Sequence, residues 1–182
     1  MNNIYVPDRR IVLPTEVDGR LKTLARLNQE TSGVLLYKRL RSSPGLDLRV
    51  DSLYMTGRGK KLEVGIDPDR KSIIDYFLEH HPEYGSIEWH AHVTGNRELS
   101  VSDRTHYTEE LREDQYFLAM VITPNGRTTI KSKDSGVVRT NVVPTPNEFY
   151  PRERYLQEQL EEFKKTLSLD HLPKFRATRN RR

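Results

Sequence analysis

The sequence predicts an α/β fold in which helices flank a mixed sheet. Segments whose apolar residues have helical spacing interleave with short segments that alternate as strands do. Several strand-like segments follow one another with no helix between them, which argues against a purely parallel, doubly wound sheet. The chain has 182 residues, and a single domain with its own core is the expectation at that length.

The first 66 residues contain one predicted helix and four predicted strands. The helix covers 16–29, where the apolar residues share one face and Pro14-Thr15 stands at the start. The strands are predicted at 11–13, 34–40, 46–55 and 61–66. Gly57 and Gly59 predict a turn between the last two strands.

The rest of the chain continues with the same interleaving of elements. Three further helices are predicted, at 68–81, 102–114 and 152–167. Four further strands are predicted, at 86–92, 116–123, 128–131 and 137–143. A Pro-rich connection precedes the last helix, which we expect to form a C-terminal extension.

The composition excludes several classes of protein. The absence of Cys excludes disulfides, Cys-ligated zinc sites and thiol nucleophiles. No segment contains the ~20 consecutive apolar residues that a membrane-spanning helix needs. The N-terminal segment lacks the apolar core of a signal peptide. We therefore expect a cytoplasmic protein without a membrane partner.

The charge of the chain is concentrated at its C-terminus. The net charge is +4, and residues 173–182 contain five basic residues and no acidic one. Short basic tails of this kind are usually solvated termini, and this one has a single aromatic residue. A solvated tail is therefore favoured over a nucleic-acid contact.

Two histidines and one aspartate have the spacing of a metal site. His90 and His92 are two apart on a predicted strand, so their side chains leave the same face. Asp103 lies eleven residues after His92, where a helix is predicted to start. Three protein ligands leave a fourth tetrahedral position open for water, which is typical of a catalytic zinc ion.

The longer pattern that contains these residues resembles a known family. His90-x-His92 is followed, after seven residues, by Ser100-x-x-Asp103, and Glu30 stands upstream, just before Gly33 and an apolar strand. This pattern is similar to the JAMM (JAB/MPN) zinc metalloproteases, in particular to small prokaryotic-type members. The resemblance covers roughly residues 15–143. It implies a deaminase-like three-layer α/β sandwich with a mixed, curved central sheet flanked by helices.

The resemblance also implies a role for each matching residue. His90, His92 and Asp103 match the ligands of one Zn²⁺ per chain. Glu30 matches the general acid/base that moves a proton from water to the leaving amine. Ser100 matches the hydroxyl that helps to hold the tetrahedral oxyanion.

The family's substrates imply the partners of this chain. They are amide and isopeptide bonds at the C-terminal tails of ubiquitin-like or sulfur-carrier proteins, and conjugation-cassette enzymes are implied as neighbours. We expect an extended tail to add as a strand along 62–66 or 86–89. The implied organisation is a JAMM/MPN metalloprotease domain at 1–146, a helical extension at 147–172 and a basic tail at 173–182.

Other interpretations of the same residues stay open. Ser100-x-x-Asp103 is also a helix-capping pattern, with Ser102 as another candidate cap. His106 is interpreted as a bystander. The chain departs from the family's usual pattern at Val93, where Pro is common, and at Ser32, where many relatives have Cys.

Three other functions compete with the peptidase. They are a non-catalytic interaction scaffold, a nucleic-acid-associated protein that uses the basic tail, and a zinc nucleoside deaminase. The intact ligand set argues against the scaffold, and the absence of Cys argues against the deaminase.

Overall fold

The structure is a computed structural model that describes residues 8–41, 46–59, 68–114, 116–133 and 136–147. Seven strands lie in these ranges: β1 (Arg9–Pro14), β2 (Thr31–Arg41), β3 (Leu46–Arg58), β4 (Tyr84–Ala91), β5 (Leu118–Thr123), β6 (Gly126–Lys131) and β7 (Val138–Val143). Three helices accompany them: α1 (Thr15–Leu24), α2 (Pro68–His80) and α3 (Val101–Glu113). The predicted strand at 61–66, the predicted helix at 152–167 and the basic tail fall outside the described residues.

All seven strands belong to one mixed sheet with the order β6-β5-β4-β2-β3-β1-β7. The antiparallel pairs are β2–β3, β2–β4 and β5–β6. The parallel pairs are β1–β3, β1–β7 and β4–β5. Strand β4 therefore lies inside the sheet, between β2 and β5.

The expected deaminase-like three-layer α/β sandwich is wrong. The sheet is nearly closed and barrel-like, and the described residues contain only three helices, of 10, 13 and 13 residues. Among the described residues, the buried members of the main core come from β1 to β5 and from α1 with the residue that follows it, and none comes from α2 or α3. The physical reason is burial, since a helix forms a layer only when it packs a broad apolar stripe. Helix α3 buries a single residue, Tyr107.

Two local expectations also need correction. Gly57 does not form a turn, because β3 continues to Arg58 and Gly57 pairs with Ser32 of β2. The segment 86–89 is not a free edge for an added strand, because β2 pairs with it along its whole length and β5 pairs with it from Glu88 onward.

Within the described residues, no helix is both long and apolar enough to cross a bilayer.

Helix α1 ends at Leu24, earlier than the predicted end at 29. Turns and bends follow, so Glu30 stands on irregular chain directly before β2. The described residues all belong to one compact unit, residues 1–150.

Candidate metal centre

The end of β4 places two imidazoles side by side. His90 pairs with Ser32 of β2 on one side and with Val121 of β5 on the other. The backbone N–H of His92 donates to the carbonyl of Ile122 at 2.8 Å, so the strand geometry extends to this residue. Both residues are buried, at 5% and 7% exposure. Because alternate residues of a strand share a face, both rings point to the same side of the sheet.

The first turn of α3 brings in the carboxylate. Ser100 is the N-cap, and its hydroxyl oxygen accepts from the Asp103 N–H at 3.1 Å. In return Asp103 Oδ2 accepts from the Ser100 N–H at 2.8 Å, which completes a capping box. The box fixes the carboxylate through Oδ2 and leaves Oδ1 available to another partner.

The three predicted ligands converge in space. The two Nε2 atoms of His90 and His92 are 2.8 Å apart. Asp103 Oδ1 lies 3.6 Å from His90 Nε2, and Asp103 Oδ2 lies 3.4 Å from His92 Nε2. All three residues offer a ligand atom within a 4.8 Å cluster. The structure thus brings together residues separated by thirteen positions in sequence.

This donor set fits a zinc ion. Zn–N bonds of about 2.0–2.1 Å at tetrahedral angles place neighbouring donors about 3.4 Å apart. The two histidine–aspartate distances, 3.6 and 3.4 Å, are close to that value. The 2.8 Å between the imidazole nitrogens is shorter, because these atoms share a hydrogen bond that an ion would replace. Two imidazoles and one carboxylate also form a donor set that zinc commonly takes.

Each imidazole is oriented by a hydrogen bond at its other nitrogen. His92 Nδ1 lies 2.9 Å from the backbone carbonyl oxygen of Asn96, in the loop after β4. His90 Nδ1 lies 2.7 Å from the hydroxyl of Tyr107, one helical turn beyond Asp103 on α3. Outer partners of this kind hold metal-binding histidines in position and select the tautomer.

The charges around the cluster shift the pKa values of its acids. The adjacent His90 ring, 3.6 Å away, together with the hydrogen bonds from Ser100, holds the pKa of Asp103 well below its usual range. Burial raises the pKa of Glu30, although the nearby His92 and His90 oppose that effect. Burial also raises the pKa of the Tyr107 hydroxyl, which therefore stays neutral. Asp103 is thus ready to ligate as a carboxylate.

Glu30 is at the same end of the sheet as the ligands. The last ladder pair between β2 and β4 is Thr31 with Ala91, so Glu30 precedes that pair and His92 follows it. The Glu30 carbonyl accepts from the Gly59 N–H at 2.9 Å, which ties this loop to the end of β3. The side chain is half-buried and interacts electrostatically with all three ligands.

Ser100 has the first of the two roles that the sequence leaves open for it, because it caps α3. Its hydroxyl oxygen accepts the capping hydrogen bond from Asp103, which uses a lone pair and leaves the hydroxyl proton free. The residue is exposed at the rim of the site. Capping and donation to a substrate oxygen are therefore compatible.

A pocket opens beside the ligands, between β2, β4, α2 and α3. His106 Nε2 contacts Glu88 Oε2 there at 2.9 Å, and this bond raises the pKa of His106. Ser32 also lines the pocket, and its buried hydroxyl has no hydrogen-bond partner among the described residues. The sequence interpretation treats His106 as a bystander, whereas the structure places it next to the site.

Tyr107 is the residue at this site that the sequence interpretation misses. A signal for it exists, because positions 103, 106 and 107 have the spacing of one helix face. A buried aromatic at the fourth residue after a ligand is nevertheless most simply interpreted as packing. Tyr107 does pack, against Phe117 and Ala119, and its hydroxyl reaches His90 as well.

The comparisons with known proteins find a similar fold and assign no function. No family model matches the chain, and no curated protein matches it. Among solved structures, the chain is similar to the solution structure of protein DSY2949 from Desulfitobacterium hafniense. The two are 16% identical, the match covers 77% of this chain and 98% of that one, and the TM-score is 0.50. At this identity the likeness concerns the fold alone.

Proposed function

We propose that this protein is a zinc-dependent peptidase of the JAMM type that hydrolyses an amide bond in a protein tail. The observation that carries the proposal is the convergence of His90, His92 and Asp103. Each imidazole is also held in its orientation by a hydrogen bond at Nδ1. The resemblance to JAMM proteases rests on these residues with Glu30 and Ser100. It does not rest on the sandwich fold, which this chain lacks.

The donor set supports catalysis better than a purely structural role for the metal. Three protein ligands converge among the described residues, and three ligands leave one tetrahedral position for water or substrate. A bound zinc ion would supply Lewis-acid activation of that water, whose pKa falls toward ~7. Structural zinc sites, in contrast, usually have four protein ligands.

The chain's own residues divide the remaining work. Glu30 takes a proton from the attacking water and returns it to the leaving nitrogen as the C–N bond breaks. The free hydroxyl proton of Ser100 donates to the carbonyl oxygen as negative charge develops there. Asp103, fixed by the capping box, and the two oriented histidines keep the ligand geometry unchanged during the reaction.

The substrate class we propose is the C-terminal tail of a ubiquitin-like or sulfur-carrier protein, in the cytoplasm. An extended tail needs no deep pocket, and the ligands lie at the end of a strand, where an extended chain can approach. Conjugation-cassette enzymes are the corresponding functional partners. Addition of the tail along 86–89 is not part of this proposal, because β4 is an interior strand.

The test combines metal analysis with a cleavage assay. We expect about one zinc per chain in the purified protein and cleavage of a ubiquitin-like protein fused to a reporter. A chelator should abolish cleavage, and added Zn²⁺ should restore it. His80→Ala is the matched control, because His80 lies at the end of α2, where its ring stacks on Tyr76. Cleavage that survives complete metal removal would refute the proposal, and stoichiometric zinc without cleavage would favour the scaffold.

A further inference from the structure

The hydrogen-bond directions around the two histidines follow from the heavy-atom contacts. The Asn96 carbonyl can only accept, so His92 Nδ1 carries a proton and, in the neutral ring, Nε2 does not. The 2.8 Å contact between the two Nε2 atoms needs one proton, which belongs to His90 when both rings are neutral. His90 Nδ1 is consequently bare in its neutral ring and accepts from the Tyr107 hydroxyl.

These contacts form one directed chain of hydrogen bonds across the site. Tyr107 donates to His90, His90 donates to His92, and His92 donates to the Asn96 carbonyl. Ligation of a metal ion through both Nε2 atoms requires that each of these nitrogens be unprotonated. His92 already satisfies this requirement, whereas His90 must move its proton from Nε2 to Nδ1.

A hydroxyl group is suited to that exchange because it both donates and accepts. When His90 Nδ1 becomes protonated, the bond to Tyr107 reverses and the tyrosine oxygen accepts. The hydroxyl proton is then free to donate into the pocket that Tyr107 lines. The two histidines therefore differ: a backbone carbonyl holds His92 in one tautomer, and a side-chain hydroxyl permits His90 two.

We propose that Tyr107 is a positioning residue: its hydroxyl orients the His90 ring and accepts from His90 Nδ1–H when Nε2 binds the metal ion, which raises the affinity of the site for Zn²⁺. This inference rests on the proposed metal site, and it concerns control of that site. Its location supports it: Tyr107 is 5% exposed, and it lies one turn after Asp103 on the same helix. Helix α3 thus supplies one ligand directly and orients a second.

The variant Tyr107→Phe isolates the hydroxyl. The phenyl ring retains the packing against Phe117 and Ala119, so the fold should persist. Loss of an outer-shell partner of a metal-binding histidine weakens metal affinity by about 10–100-fold. Tyr37→Phe is the matched control, because Tyr37 is a tyrosine of the main core with 7% exposure.

Two measurements test the proposal. Chelator competition gives the Zn²⁺ Kd of the wild type, Tyr107→Phe and Tyr37→Phe, and only Tyr107→Phe should lose about 10–100-fold. Long-range ¹H–¹⁵N spectra of the metal-free proteins report histidine tautomers. In the wild type His90 should carry its proton on Nε2. In Tyr107→Phe the two tautomers, with the proton on Nε2 or on Nδ1, should both be populated. A purely packing role for Tyr107 would leave that spectrum unchanged.

The outcomes separate this inference from the proposed function. If the wild type binds zinc and cleaves its substrate, but the Kd of Tyr107→Phe stays within about twofold and the tautomer is unchanged, only the role of Tyr107 is wrong. If the wild type binds no zinc, both proposals are wrong. A loss of affinity in both tyrosine variants would show a general stability effect and would also overturn the inference.

Discussion

The two elements that build the metal centre differ in burial. Strand β4 lies inside the sheet, and His90 and His92 are buried at its end. Helix α3 is largely exposed, with Tyr107 as its one buried residue, and it contributes Asp103 from a first turn at the rim. The strand therefore sets where the metal binds, whereas the helix adjusts how the site holds and uses it. Changes to the strand ligands should act in an all-or-none manner, and changes to residues of α3 other than the ligand Asp103 should act in a graded manner.

The largest effect should come from the strand ligands. His92→Ala removes a ligand whose position the interior strand dictates, and no other described histidine stands close enough to replace it. We expect loss of stoichiometric zinc and of peptidase activity, with the fold retained. Zinc content after dialysis measures this. A His92→Ala protein that still holds one zinc per chain would show that the ligand assignment is wrong.

The second effect concerns Glu30, which stands just before β2. Glu30→Gln keeps the size of the side chain but cannot carry the proton. We expect zinc content and melting temperature to be unchanged and the rate to fall on the order of 10²-fold or more. Glu79→Gln on α2 serves as the control. Near-normal turnover of Glu30→Gln would remove this residue from the mechanism.

The third effect tests how closely β2 packs against the neighbouring strands β3 and β4 at Gly33. A Cβ at Gly33 would lie 2.0 Å from the Tyr54 carbonyl oxygen and 2.8 Å from the Trp89 ring. Because the backbone carbonyl cannot move aside, we expect Gly33→Ala to destabilise the fold by about 1–3 kcal/mol. Gly19→Ala is the control, since nothing lies within 4 Å of its added Cβ. Urea unfolding of the two variants measures the difference, and equal midpoints would contradict the packing argument.

The fourth effect is on the helix side and should be smaller. Ser100→Ala removes the N-cap of α3, which costs about 0.5–2 kcal/mol of stability. It should also lower kcat, because the oxyanion loses a donor. Ser102→Ala tests the other capping candidate and should do neither, since Ser100 occupies the cap. If Ser102→Ala proved the more damaging change, the capping box would be assigned wrongly.

The smallest effect is a pH dependence from the Glu88–His106 pair. The folded-state pKa of His106 is raised above its ordinary value of 6.5, mainly by the bond to Glu88. The stabilisation is therefore fully present below the unfolded pKa and is lost as pH rises through the higher folded pKa. Glu88→Gln should reduce stability at pH 5.5 and leave it nearly unchanged at pH 8.5. Equal losses at both pH values would show that the charge of His106 does not contribute.

Tyr107 shows why part of the site escapes a reading of the sequence. The two histidines and the capping-box aspartate can be predicted from their spacing, because the periodicity of strands and helices determines which side chains lie on the same face. The hydroxyl of Tyr107 acts only because α3 packs beside β4, and no pattern in the sequence states that contact. Glu88 and His106 are separated by eighteen positions and meet for the same reason.

The sequence by itself determined the candidate ligands, the strands and helices that hold them, and the mixed order of the elements. Those features depend on local periodicity and on capping chemistry, both of which are written in short segments. Only the tertiary structure decided that β4 is an interior strand, that β3 runs through Gly57, and that the helices do not form layers on a sandwich. These features depend on which surfaces bury one another, and burial is settled between segments that are distant in sequence.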